Sequence, residues 1–156
     1  MTELMLLNEI LRNFFGKSSA RISSDIKLIG SGAYHDNYVY YNGEEKYLIR
    51  INKSSQLGFT NKKQILYEFA TLKDVCTSGL TPEPVKIIRF KVGNRYKYIL
   101  VEKYIEGNKF SYVSDLEKAA ISLAKVHRCI PLNNKYIVCT EPSILLYKDA
   151  RVTAGI

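Results

Sequence analysis

The strongest constraint in this sequence is a strand pattern that ends in an arginine and is followed by a helix with a glutamate on its apolar side. The run Tyr47-Leu48-Ile49-Arg50 closes a pair of strands joined through Asn42-Gly43, a strong two-residue hairpin signal. Alternation puts Tyr47, Ile49 and Ile51 on one face and Leu48 and Arg50 on the other. In the next helix Ile65, Leu72 and Val75 form a stripe, with Glu68 three residues after Ile65 and four before Leu72. A carboxylate on that side either reaches water at the helix margin or needs a cation, because an unpaired buried charge is costly. Arg50 is the candidate cation, unless it is a surface arginine on a sheet edge.

The rest of the sequence reads as helix, three strands, helix, two strands, helix. Thr2 to Phe15 is helical, with Leu4, Leu7, Leu11 and Phe14 as its stripe and Gly16 as its stop. Strands are expected over Asp25 to Ile29, running into Gly30-Ser31-Gly32, over Tyr38 to Tyr41, and over Lys46 to Ile51. Asn61, answered by Gln64, caps a helix to about Cys76 that Gly79 ends. After the stiff Thr81-Pro82-Glu83-Pro84 link come strands Val85 to Val92 and Arg95 to Lys103 around Gly93-Asn94. Ser114 and Glu117 form a capping box for a helix from Asp115 to Cys129, whose buried side is expected to be Leu116, Ala119, Ala120, Leu123, Ala124 and His127. Pro131 stops it, and short strands are expected at Ile137 to Val138 and Ile144 to Tyr147. The predicted class is α+β: a five-stranded antiparallel sheet with one packed helix, an N-terminal helix and a helical C-terminal segment.

Composition narrows the function classes. Hydrophobic residues make up 46% of the chain and charged residues 24%, which suits one core-forming domain or a piece of one. No apolar run approaches the ~20 residues that span a bilayer. Residues 1 to 5 carry Glu3 and no Lys or Arg, unlike a secretory leader. Cys76, Cys129 and Cys139 show no metal spacing and read as reduced thiols in a cytoplasmic protein. The net charge of +8 fits solvated basic faces, a nucleotide or an acidic partner. Without a basic run interleaved with aromatics on one predicted face, the pattern argues against nucleic acid.

Several stretches, taken in order, resemble the N-terminal lobe of the aminoglycoside phosphotransferase and choline kinase family, small-molecule relatives of the protein kinases. They are Ile29-Gly30-Ser31-Gly32 with Asn37, Tyr47-Leu48-Ile49-Arg50, Tyr67-Glu68, Leu80-Thr81-Pro82-Glu83-Pro84, Leu100 to Gly107, and Leu123-Ala124-Lys125-Val126-His127. The resemblance covers residues 26 to 131 and implies a nucleotide-binding lobe over 26–107. Residues 1–25 then form an N-terminal helix and connector, and 108–156 the start of a truncated helical lobe. It implies ATP, with Gly30, Ser31 and Gly32 over the phosphates, Arg50 on them and Glu68 holding Arg50. It also implies that Leu48 is among the nucleotide-binding residues, that Val101 flanks the base, that the Glu102 carbonyl accepts from the adenine amino group, and that the Tyr104 N–H donates to the ring. His35 stands where a protein kinase would carry a third glycine and has no role in this reading.

The same resemblance implies magnesium and a small-molecule acceptor, but not their residues. The family's His-Gly-Asp segment and second Asp motif have no counterpart after His127, and Asp149 is the only Asp beyond Asp115. His127, on an apolar stripe near a helix end, reads as structural. The chain is therefore expected to be inactive alone: a piece of a kinase, a natural non-catalytic module, or an accidental likeness. As a non-catalytic module it would bind a partner or itself through an exposed C-terminal helix.

Overall fold

The structure is a computed structural model that describes residues 2–16, 26–54, 58–108 and 110–129. The strands expected at 137–138 and 144–147, and the helix stop at Pro131, lie outside the described residues. Three helices and five strands follow the expected order: α1 (Glu3–Phe14), β1 (Ile26–Ser31), β2 (His35–Asn42), β3 (Glu45–Asn52), α2 (Asn61–Val75), β4 (Pro84–Val92), β5 (Arg95–Lys103) and α3 (Leu116–Cys129). A short 3₁₀ turn, Cys76–Ser78, extends α2, and Gly79 ends it with φ +70°. The sheet is antiparallel throughout, in the order β1-β2-β3-β5-β4.

Local chemistry explains most boundaries. The β4–β5 turn is Gly93-Asn94, with Gly93 at φ +56°. The β2–β3 turn falls one residue later than expected, at Gly43-Glu44, because Asn42 pairs with Glu45 and leaves Gly43 at φ +67°. Only glycine takes that backbone without a steric cost. The cap of α2 also differs: Thr60, not Asn61, accepts from the Lys63 N–H at 3.2 Å. Ahead of α3 the turn is held by Ser111 rather than by a Ser114 cap: the Ser111 Oγ accepts from the Ser114 N–H at 3.4 Å, and the Ser111 N–H donates to the Asp115 carboxylate at 3.0 Å.

The sheet buries a helix on each face. On one face Leu7 and Leu11 of α1 pack with Tyr40, Tyr47, Ile49, Ile51, Ile99 and Val101. Phe15 stacks on Tyr40, its ring centroid 5.2 Å away. The packed side of α1 includes Leu6 and Ile10, whereas Leu4 and Phe14 of the expected stripe are exposed. On the other face α2 buries Ile65 and Val75 and lies against β4 and β5. The two helices thus take the two alternating side-chain sets of β3, as the period-two pattern requires.

The third helix departs from expectation. It touches α2 and the 3₁₀ turn, and Ala119, Ser122, Val126 and Cys129 are its half-buried residues. Leu116 (61% exposed), Ile121 (50%) and Leu123 (56%) face outward. Of the side expected to be buried, Ala119 is half-buried, whereas Leu116, Ala120, Leu123, Ala124 and His127 are exposed.

Candidate functional site

A concavity of about 410 Å³ lies on the α2 face of the sheet, lined by Ile29, Gly30, Asn37, Leu48, Arg50, Pro82 and Glu102. A second, of about 290 Å³, shares Ile29 and continues along Val39, Tyr41, Lys46, Tyr104 and Glu106. Both volumes are of the order of small-molecule sites. The register shift between Leu28 and Gly30 is a bulge, which re-aims side chains at a strand edge. Here it brings both Ile29 and Gly30 to the groove.

Arg50 is the electrostatic centre. Its Nη1 donates to Glu102 Oε1 at 3.2 Å, and its Nη2 stands 3.7 Å from Glu68 Oε2. The expected Arg50–Glu68 pair is thus an ion pair rather than a close hydrogen bond. Glu102 is the closer partner, and its side chain is only 1% exposed. Burial pushes the Glu102 pKa up, Arg50 pulls it down, and Glu68 adds to the upward push. One guanidinium between two carboxylates holds both in place, and its planar fork suits that geometry.

Glu68 is fixed from a second side. Its Oε1 accepts from Gln64 Nε2 at 2.9 Å and lies 3.1 Å from His35 Nε2. At the glycine turn Ser31 Oγ donates to Asp36 Oδ1 at 2.6 Å and accepts from Lys53 Nζ at 3.0 Å. That hydrogen bond from Ser31, helped by Lys53, holds the Asp36 carboxyl below the usual range.

The structure brings together Gly30, Leu48, Arg50, Glu68 and Glu102 of the expected residues. Ser31 lies at the end of β1, in its own network with Asp36 and Lys53. The Gly32 N–H donates to the His35 carbonyl at 2.9 Å and closes the turn. Val101 pairs with Ile49 and is fully buried in the α1 core, so its side chain is on the opposite face from Arg50. The Tyr104 N–H donates to the Lys46 carbonyl at 3.1 Å, so it is held inside the sheet. Glu102 contributes its side chain, where a main-chain role was expected.

Sequence reading missed His35, Gln64 and the apolar wall of Ile29 and Val39. The signal for Glu102 was present: a carboxylate within Ile99-Leu100-Val101-Glu102 is an ionisable group in an otherwise apolar strand, and such groups are paired. His35 had no such signal, since its partner is 33 residues away.

A five-stranded antiparallel sheet, with a glycine turn between β1 and β2 and a strand arginine facing a helix glutamate, has the fold of a kinase-type N-terminal lobe. The comparisons agree with that class. No protein-family model matches the sequence, and no curated protein does. Among solved structures the chain is similar to the microcompartment-associated aminopropanol kinase, with a TM-score of 0.56 and 14% identity. The match covers 81% of this chain and 40% of that protein, so the chain spans two fifths of its length. At that identity the likeness is one of fold. Among the described residues no helix is long and apolar enough to cross a membrane.

Proposed function

We propose that this chain is the ATP-binding lobe of a small-molecule kinase whose acceptor is a hydroxyl of an amino alcohol, an amino sugar or a related metabolite. The observation that carries the reading is Arg50, held between Glu68 and Glu102 at the wall of a groove beside the glycine turn. A guanidinium fixed on one side by carboxylates keeps donors for phosphate oxygens on the other. The acceptor class rests on the aminopropanol kinase likeness and on the family resemblance of the sequence.

The groove suits a nucleotide in other respects. A Cβ at Gly30 would meet no atom within 4 Å, and Gly30 lines the groove, so the bare backbone leaves that space to a ligand. Ile29, Val39 and Leu48 offer apolar side chains to a base. The hydrogen-bonding edge for adenine shifts by one residue from the sequence expectation. The Lys103 N–H donates to the Glu83 carbonyl at 2.9 Å, while the Tyr104 N–H points to β3. Alternation then assigns the Lys103 carbonyl and the Ile105 N–H to the open side beside Pro82. In this reading Arg50 binds phosphate, Glu68 and Glu102 orient Arg50, and Lys103 and Ile105 hold the base.

Magnesium is the usual partner of phosphoryl transfer and would neutralise phosphate charge. Among the described residues no group of three or more His, Cys, Asp or Glu side chains could hold a metal.

The test is a thermal-shift series with ATP and magnesium. At 100 times Kd a ligand stabilises by about 2.7 kcal/mol. The ligand-dependent increment should vanish in Arg50→Ala. Absence of any increment for the wild-type chain at millimolar ATP would refute the proposal.

A further inference from the structure

Beside Arg50 lies a contact that the nucleotide reading does not use. His35 is the first residue of β2, immediately after the glycine turn. Its carbonyl accepts from the Gly32 N–H, closing that turn, while its ring nitrogen Nε2 is 3.1 Å from Glu68 Oε1 on α2. Both side chains are largely shielded, at 13% and 15% exposure. One residue thus holds the turn through its main chain and the helix through its side chain. Glu68 divides its two oxygens accordingly. Oε1 is gripped by His35 and Gln64, and Oε2, the oxygen facing Arg50, is buried with no hydrogen-bond partner.

We infer that His35 is a positioning residue: it latches the glycine turn to α2 through Glu68, so that the height of the turn over the groove and the reach of Glu68 toward Arg50 are set together. The latch is a geometric claim about this chain, and its effect on nucleotide rests on the function proposed above. A turn raised from the groove pulls on Glu68 Oε1 and draws Oε2 away from Arg50. A turn lowered over phosphates lets Glu68 close on Arg50 and complete the hydrogen bond now missing at Oε2. Buried polar atoms without partners are uncommon in folded proteins, and this one lies where a small motion would satisfy it.

Two measurements on the full chain test the inference. The first uses no ligand: amide hydrogen exchange in His35→Ala, His35→Gln and Glu68→Gln. Loss of the latch should speed exchange jointly at residues 31–37 and 64–69 and leave β4 unchanged. His35→Gln, which keeps an amide donor of similar reach, should restore both segments. The second is ATP affinity, which should weaken about tenfold in His35→Ala, the size of one charge-assisted hydrogen bond, and return to within about threefold in His35→Gln. Adding His35→Ala to Glu68→Gln should cause little further loss, since His35 acts through Glu68. Exchange that is unchanged, raised everywhere, or not rescued by glutamine overturns the latch. If the wild-type chain binds no ATP but the exchange pattern follows the prediction, the nucleotide reading fails and the latch stands.

Discussion

Arg50 and Glu102 carry the sharpest single-residue consequences. Arg50→Ala leaves Glu102, which is 1% exposed, without its cation, and breaking such a pair typically costs about 3 kcal/mol. Chemical denaturation should show a loss of that order, and Arg50→Ala combined with Glu102→Gln should recover a measurable part of it by removing the stranded charge. Equal stability of the single and double variants would contradict the burial of Glu102. The pH dependence follows from the upward push that burial gives its carboxyl. From about 4.5 upward, until its raised pKa is passed, the folded chain binds more protons here than the unfolded chain, so this group's contribution to stability falls as pH rises. Asp36 has the opposite sign: its contribution is present above the ordinary carboxylate range and lost as pH falls through its lowered pKa. Glu102→Gln leaves Asp36 untouched and should therefore flatten only the downward limb. Parallel unfolding profiles for wild type and variant would refute that assignment.

At the level of elements, α1 is a structural partner of the sheet. Leu11 is fully buried against the face opposite the groove, so Leu11→Ala should cost about 3 kcal/mol. Any ATP-dependent stabilisation should persist in that variant, because no α1 side chain lines the groove. Loss of ATP binding without loss of stability would place α1 in the site instead. The strands and their order were legible from the sequence, since period two in Tyr47 to Ile51 and the Gly93-Asn94 turn are local signals. The Arg50–Glu68 pairing was also legible, as it needs only the parity of one strand and the stripe of one helix. What stayed hidden depends on how distant segments meet. Glu102 against Arg50 depends on the β3–β5 register, His35 against Glu68 on the packing of α2, and the Tyr104 N–H on which neighbour strand it faces. The outward turn of Leu116 and Leu123 departs from the stripe read as buried, though the reading of an exposed C-terminal helix allowed for it; amphipathicity gives a face but not its partner.

At the scale of the whole molecule, the described residues form one layered body, α1 on one side of the sheet and α2 with α3 on the other. Leu116 and Leu123 project from α3 with more than half of their surface open. Replacing both with glutamate should change stability by no more than about 0.5 kcal/mol each, as expected for exposed sites. A collapse of the fold would mean that this face is covered. Sedimentation of the same variant separates self-association from a solitary chain: a wild-type dimer that dissociates on substitution supports the competing reading of an interaction module. Among the described residues the strand order β1-β2-β3-β5-β4 leaves β1 and β4 as outer strands, and open borders of that kind recruit further strands from other chains. Both borders carry deterrents: the irregularity at Ile29 on one, and on the other Pro84 followed by the exposed cations Lys86, Arg89 and Lys91. Neutralising those three positive charges should make the chain more prone to fibrous aggregation than the wild type, with the groove itself intact.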